Sequence, residues 1–138
     1  MTGSYCDTKP SIETMDIITR DYVKNNPDKI FVFGDNDEKE GFGGQAKEMR
    51  GERNAIGIPT KKKPDTSEDS YYTDAEFDFN KKKINLAINA IIKEIKDGKT
   101  IVFPTNGIGT GLAMLDKKAP KTFEFLKASI NALHNFIS

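Results

Sequence analysis

Apolar positions along the chain fall into two kinds of segment. Some are short unbroken runs; others are longer stretches in which apolar residues recur every three or four places. The runs are Ile30-Phe31-Val32-Phe33, Ala55-Ile56-Gly57-Ile58 and Ile101-Val102-Phe103, closed by Gly34, Pro59 and Pro104. A run with no polar residue at alternate positions reads as a strand buried on both faces. The periodic stretches predict helices. Ile12, Met15, Ile18, Tyr22 and Val23 share one helical face from Ser11 to just before Asn26-Pro27. Ile84, Ile88, Ile91, Ile92 and Ile95 form a second such face, with Gly98 placed as its C-cap. A last helix carries Pro120 in its first turn and turns Phe123, Leu126, Ile130, Leu133 and Ile137 inward. Gln45 to Arg50 reads as a short helix, and the polar, aperiodic stretch Thr60 to Asp74 as a loop long enough to act as a lid.

Short apolar strands alternating with helices predict a sheet covered on both faces, an α/β layer architecture. The chain has 138 residues, enough for one domain spanning 1–138, with no repeat or linker inside it. Charge adds an exclusion: 21 basic and 21 acidic residues balance. General nucleic-acid binding, which leaves a basic excess, is not expected. Mean hydropathy is −0.58. No stretch approaches the ~20 apolar residues of a membrane span, and the first ten residues lack a signal peptide's apolar region. No membrane association and a cytoplasmic location are the expectation. Cys6 and His134 cannot supply the four ligands of a structural zinc site. Neither a metal nor a cofactor is expected; Cys6 reads as an inert thiol and His134 as non-catalytic.

Two glycine-rich segments follow strands. One is Gly34-Asp35-Asn36 leading to Gly41-Phe42-Gly43-Gly44; the other is Pro104-Thr105-Asn106-Gly107-Ile108-Gly109-Thr110-Gly111. Glycines there allow positive φ and close backbone approach, so that N–H groups converge on phosphate oxygens. Gly43-Gly44 also precede a helix N-terminus, which attracts anions. Each loop could also be no more than a tight turn, but two of them, each after a strand, favour phosphate or nucleotide binding. Gly-Lys-Ser and Gly-Lys-Thr are absent, and the spacing is not that of a dinucleotide fingerprint.

Ile30–Asn36 followed by Gly43-Gly44 resembles the first half of a macro domain, and Pro104–Leu112 resembles that fold's second phosphate loop. Ile58-Pro59-Thr60-Lys61 and Ile108-Gly109-Thr110-Gly111-Leu112 look like the branch that removes ADP-ribose from carboxylate side chains. Among macro-like proteins the likeness is to short ones from large tailed phages, and it spans residues 30 to 126. The resemblance implies a three-layer α/β/α domain with a mixed, mostly parallel sheet, and ADP-ribose or a related nucleotide as ligand. Asn36 would face the distal ribose and Gly43 and Gly44 would wrap it, with Gly34 and Gln45 also among the ligand-binding residues. Gly107, Ile108, Gly109, Thr110 and Gly111 would cradle the diphosphate, with Thr105, Asn106 and Leu112 also binding the ligand. An aspartate early in the fold would meet the adenine.

Lys61 stands where that branch has a nucleophilic lysine, but the positions of the two known catalytic aspartates hold Ala113 and Ala46. Alanine can neither accept a proton nor orient water. Capture of the ligand, for instance by a phage-encoded sequestering protein, therefore leads. The alternatives are an ADP-ribosyl glycohydrolase-type hydrolase using Lys61 with Asp35, Asp37 or Asp116, and a ligand-free interaction module that has kept the fold. Lys61-Lys62-Lys63 also reads as a plain solvated charge run, and Lys81-Lys82-Lys83 as the first turn of a helix. Tyr71-Tyr72 would either stack on a base or pack on the domain edge.

Overall fold

The computed structural model describes residues 10–41 and 46–137. Four strands form one sheet: β1 (Ser11–Met15), β2 (Lys29–Asn36), β3 (Ala55–Lys61) and β4 (Thr100–Pro104), in the order β1-β4-β2-β3. Helices α1 (Arg20–Asn25) and α2 (Ala46–Met49) supply one outer layer; α3 (Phe77–Lys96), α4 (Leu115–Lys118) and α5 (Pro120–Ala132) supply the other. The fold is α/β in three layers. All strand pairings are parallel, where a mixed sheet was expected; among the described residues the antiparallel pairing is an isolated bridge, Lys61 to Tyr71.

Alternation along the central strands explains why they are apolar throughout. Ile30 and Val32 enter the core under α3 and α5, with Ile101 and Phe103 of β4. Phe31, Phe33 and Val102 enter the opposite core, against Ile18, Val23 and Met49. Successive side chains serve different layers, so no position is left for a polar residue. In α3 the faces separate cleanly: Ile84, Ile88, Ile91 and Ile95 are buried, whereas Leu86 is 73% exposed. Gly98 ends the helix with φ +87, donating its N–H to the Ile95 carbonyl at 2.9 Å. At α5, Pro120 occupies the first turn, and the Asp74 carboxylate accepts from the Lys121 and Thr122 amides.

β2 runs on through Gly34 to Asn36 rather than ending at Gly34, and two further elements differ from the sequence reading. Ser11–Met15 is a strand, not the start of a helix. Residues three apart share a helical face, but Ile12 and Met15 lie on opposite sides of β1, one packed on each core. The helical segment begins only after Thr19, whose hydroxyl accepts from the Tyr22 amide. The second difference is β3, which runs through Pro59 to Lys61. Proline lacks an N–H, but β3 is an edge strand, where that donor is not required on the outer side. The register slips between Asp35 and Asn36, leaving Thr60 as a bulge.

Ile91→Ala should destabilise the protein by about 2–5 kcal/mol, the usual range for a truncated core side chain. Leu86→Ala should change stability by no more than about 0.5 kcal/mol. Urea midpoints at constant slope measure both; equal losses would mean that α3 buries a different face.

Candidate functional site

Adjacent strands β2 and β4 part company towards their carboxyl ends. Their ladder ends at Phe31–Val102. Beyond it β2 pairs with β3 as far as Asn36, and β4 pairs with β1 as far as Pro104. The chain then leaves β2 for the α2 layer and β4 for the α4/α5 layer. Divergence of neighbouring strands and of their following connections opens a crevice at this point of an α/β sheet. Two cavities fill it. The larger, about 290 Å³, lies along residues 106–113 and reaches Asp16 at the end of β1. The smaller, about 100 Å³, lies between Asn36, Glu40, Arg50, Lys61 and Pro64. Gly34, Ala46, Thr60, Leu112 and Ala113 line both.

The wall after β4 is a strained, donor-rich loop. Gly107, Gly109 and Gly111 have φ of +88, +94 and +66, with Thr110 between the last two at −91. Alternation of φ sign turns successive N–H groups towards a common concavity. Among the described residues, none of the N–H groups from Ile108 to Leu112 donates to a protein acceptor. Gly34 lets β2 pass beneath: a Cβ there would lie 3.3 Å from Thr60 Oγ1 and 3.5 Å from Ile108 Cγ2. Left-handed backbone at two non-glycine residues, Lys39 (φ 57) and Met114 (φ 49), marks the two loops that follow β2 and β4. Such strain persists only where surrounding structure enforces it.

Charged groups on the β2 and β3 side are largely committed to protein partners. Asp35 accepts from Arg50 Nε at 3.2 Å and from Arg50 Nη2 at 2.5 Å, while Arg50 Nη1 donates to the Gly41 carbonyl. Asn36 donates to the Glu40 carbonyl and accepts from the Glu40 amide, closing the turn after β2. Lys61 is buried, its Nζ donating to the Asp65 carbonyl at 2.6 Å with the Tyr71 ring 4.9 Å away. Burial lowers its pKa below the ordinary lysine value, opposed by the charge of Asp65.

The segment after Lys61 is a fixed strap rather than an open lid. Lys62 and Lys63 amides donate to the Ser70 carbonyl. Lys62 pairs with Glu76, and Lys63 with Asp69. Asp65 accepts from the Ser67 hydroxyl, the Ser70 hydroxyl and the Ser67 amide, which hold its carboxyl down at about 2. Tyr72 is fully buried and donates to Asp37 at 2.6 Å; Lys83 pairs with the other oxygen of Asp37. Tyr71 packs between the ammonium groups of Lys61 and Lys118. Both tyrosines anchor the strap.

Of the residues expected at the site, Gly34, Asp35, Asn36, Lys61, Asn106 to Gly111 and Leu112 line the crevice. Thr105 does not; its amide ties the loop to β1 through the Met15 carbonyl. Gly43, Gly44 and Gln45 lie outside the described residues, as does Cys6. Lys61 is not part of a solvated charge run, because β3 carries it into the sheet's end before the strap begins. Asp37 is committed to Tyr72 and Lys83, and Asp116 lines neither cavity. Asp16, Glu40, Arg50 and Thr60 line the crevice and escaped the sequence reading. Of these, Thr60 stood in the quoted Ile58-Pro59-Thr60-Lys61 motif without being assigned to the site.

The fold and the crevice define a parallel α/β domain whose buried polar residues Asp35, Asn36, Thr60 and Lys61 gather at the carboxyl ends of two strands. The chain belongs to a family of unknown function (DUF7831), whose profile matches residues 13–129. No curated protein and no solved structure matches it.

Gly109 is crowded as well as left-handed: a Cβ would lie 3.1 Å from Leu115 Cδ2 and 3.4 Å from Leu126 Cδ2. At Gly107 and Gly111 a Cβ would meet nothing within 4 Å. Gly109→Ala should therefore cost about 2 kcal/mol or more, and Gly107→Ala about 1 kcal/mol from φ alone. Equal losses in urea unfolding would contradict the packing of Leu115 beneath this loop. The strap has its own signature in acid. Asp65's carboxyl lies below its ordinary value of 3.8. Its contribution to stability is thus complete above that value and is lost as pH falls through about 2. Carboxyl ¹³C shifts should show Asp65 titrating near 2, and Ser67→Ala should return the midpoint towards 3.8. An unchanged midpoint in that variant would refute the hydroxyl's role.

Proposed function

We propose that the crevice binds ADP-ribose or a closely related nucleotide, as in the macro domains that the sequence resembles, and that it captures the ligand rather than cleaving it. The observation that carries this reading is the run of N–H groups from Ile108 to Leu112 without protein acceptors among the described residues. Ile108 and Gly109 are buried, where N–H groups are normally paired, whereas Thr110, Gly111 and Leu112 are exposed and present theirs to the crevice or to solvent. A loop that presents several in alternating conformation is an anion cradle, and a diphosphate offers acceptors to match. Asp16, at the β1 end, supports an adenine there, since a carboxylate accepts from an exocyclic amino group. The smaller cavity, beside Asn36 and Lys61, is left for the distal sugar.

Capture is favoured by what lines that cavity. Ala46 and Ala113 offer no proton acceptor, and Asp35 is neutralised by Arg50. Lys61 directs its ammonium to the Pro64 and Asp65 carbonyls. Hydrolysis has one feature in its favour: a buried lysine with lowered proton affinity shares the cavity with Glu40, whose carboxylate has no salt-bridge partner among the described residues.

Calorimetry should find ADP-ribose binding at least about tenfold, or 1.4 kcal/mol, more tightly than adenosine. Equal affinities would remove the phosphate role of residues 108–112. A glutamyl-ADP-ribosylated protein incubated with the chain should release no ADP-ribose and leave no adduct in the intact mass. Release that disappears in Lys61→Ala or Glu40→Gln would overturn capture in favour of hydrolysis.

A further inference from the structure

The largest concavity among the described residues is not the crevice but a groove of about 750 Å³ along the outer edge of β3. Ala55, Gly57 and Pro59 line it from the strand, and Leu86 and Ala90 of α3 stand along one side. The loop of residues 107–111 takes no part in it, so its occupant is independent of the nucleotide reading. In a parallel ladder alternate residues turn both backbone groups to the same neighbour. The Phe31 amide donates to the Asn54 carbonyl, so Asn54, Ile56 and Ile58 face β2 and Ala55, Gly57 and Pro59 face outward. Pro59 has no N–H, and the Ala55 amide donates to the Glu52 carbonyl. The open edge therefore carries the Gly57 N–H and three carbonyls. From Lys61 onward the strap covers that side through its bridge to Tyr71. A bare edge of this kind is a template for another strand.

We infer that the groove is filled by a second copy of the chain, β3 pairing antiparallel with the partner's β3 about a two-fold axis at Gly57. Three sets of features are reciprocal about that one axis, as an isologous interface requires. The first is the backbone. At Gly57 the N–H of each copy meets the carbonyl of the other, and the Pro59 carbonyl lies opposite the partner's Ala55. The second is α3. Lys83 pairs with Asp37, just past the end of β2, and Glu94 shares a concavity with Arg53 and Asn54, just before β3. The middle of this span, between Leu86 and Ala90, is thus level with Gly57. Leu86 and Ala90 are exposed one turn apart, so antiparallel helices set each large side chain against the partner's small one. The third is charge. Arg50 and Lys83 are neutralised in place by Asp35 and Asp37. Lys39 remains at the carboxyl end of the groove, without an ion-pair partner among the described residues; Glu52, at the amino end, gives one oxygen to Arg20. Antiparallel pairing brings each Lys39 to the partner's Glu52, where a parallel pairing would set like charges together.

Sedimentation equilibrium of the full chain over the micromolar range should give a species of twice 15.4 kDa. A monomer throughout, or open-ended growth, overturns the inference. Leu86→Asp and Ala90→Glu change exposed positions of α3 and should each weaken dimerisation at least about tenfold, with the circular dichroism of the fold retained. Lys39→Glu, on a different element, should weaken it as well, and more at low salt than at high. A dimer that either helix substitution leaves unaffected is formed elsewhere on the surface and overturns the assignment. Register has its own test, in a Cys6→Ser background. Leu86→Cys and Ala90→Cys proteins, oxidised as a mixture, should form at least about threefold more disulfide-linked dimer than either protein alone, since the axis sets the unlike pair face to face. Equal yields overturn the two-fold at Gly57.

Discussion

Everything at the polar end of this domain depends on the parting of β2 and β4 beyond Phe31–Val102. Two neighbouring strands that stayed paired to their ends would leave only a rim there. Separated, they admit the loop after β4 into the gap, and the backbone must meet the conditions this creates. Gly34 lacks a Cβ because Thr60 and Ile108 stand where one would sit. Gly109 is left-handed and also lacks a Cβ where Leu115 and Leu126 close over it from the core side. Lys39 and Met114 hold unfavourable φ values in the two loops concerned. Strain of this kind is stabilised from outside, here by the two cores that clamp the strands on either face.

Charge at the same end obeys a second constraint. Asp35 and Lys61 are both at least nine-tenths buried, and neither is left alone. An Arg50 fork takes the carboxylate, and main-chain carbonyls of the strap take the ammonium. Removing one partner of such a pair strands the other, which costs more than the pair itself contributes. Arg50 also holds the Gly41 carbonyl, while the Arg20 guanidinium binds the Arg50 carbonyl and Glu52. The ion pair thereby fixes the turn after β2 to the α1/α2 layer, and its geometric role exceeds any contribution to net stability.

How much of this was legible in the sequence differs by element. The central strands were plain, because a strand that feeds two cores must be apolar at every position, as Ile30–Phe33 and Ile101–Phe103 are. So were α3 and α5, whose period of 3.6 is independent of tertiary context. Edge strand β1 was not: with Glu13 and Thr14 exposed, its two apolar residues mimic helical spacing. The glycines of residues 107–111 announced a loop of special conformation, but not that the Cβ of Gly109 would face the core. By charge pattern Lys61 is one of three equivalent lysines, and only the family resemblance singles it out in the sequence. Its burial comes from the bulge at Thr60 and the strap's return to Tyr71, and both are tertiary facts.

The strap bears on the choice between capture and cleavage. A site that activates a sugar carbon generally closes to exclude water, and closure needs a segment free to move. Among the described residues, the strap from Lys62 to Tyr72 is tied down along its length. The Asp65 knot holds Ser67 and Ser70, Tyr71 returns to pair with Lys61, and Tyr72 is sealed into the core against Asp37. Walls fixed in this way lose little entropy when a ligand arrives, which favours affinity. They also leave an open crevice in contact with solvent above the Lys61 cavity. Retention of an anion needs only the first property, and an open crevice does not oppose it.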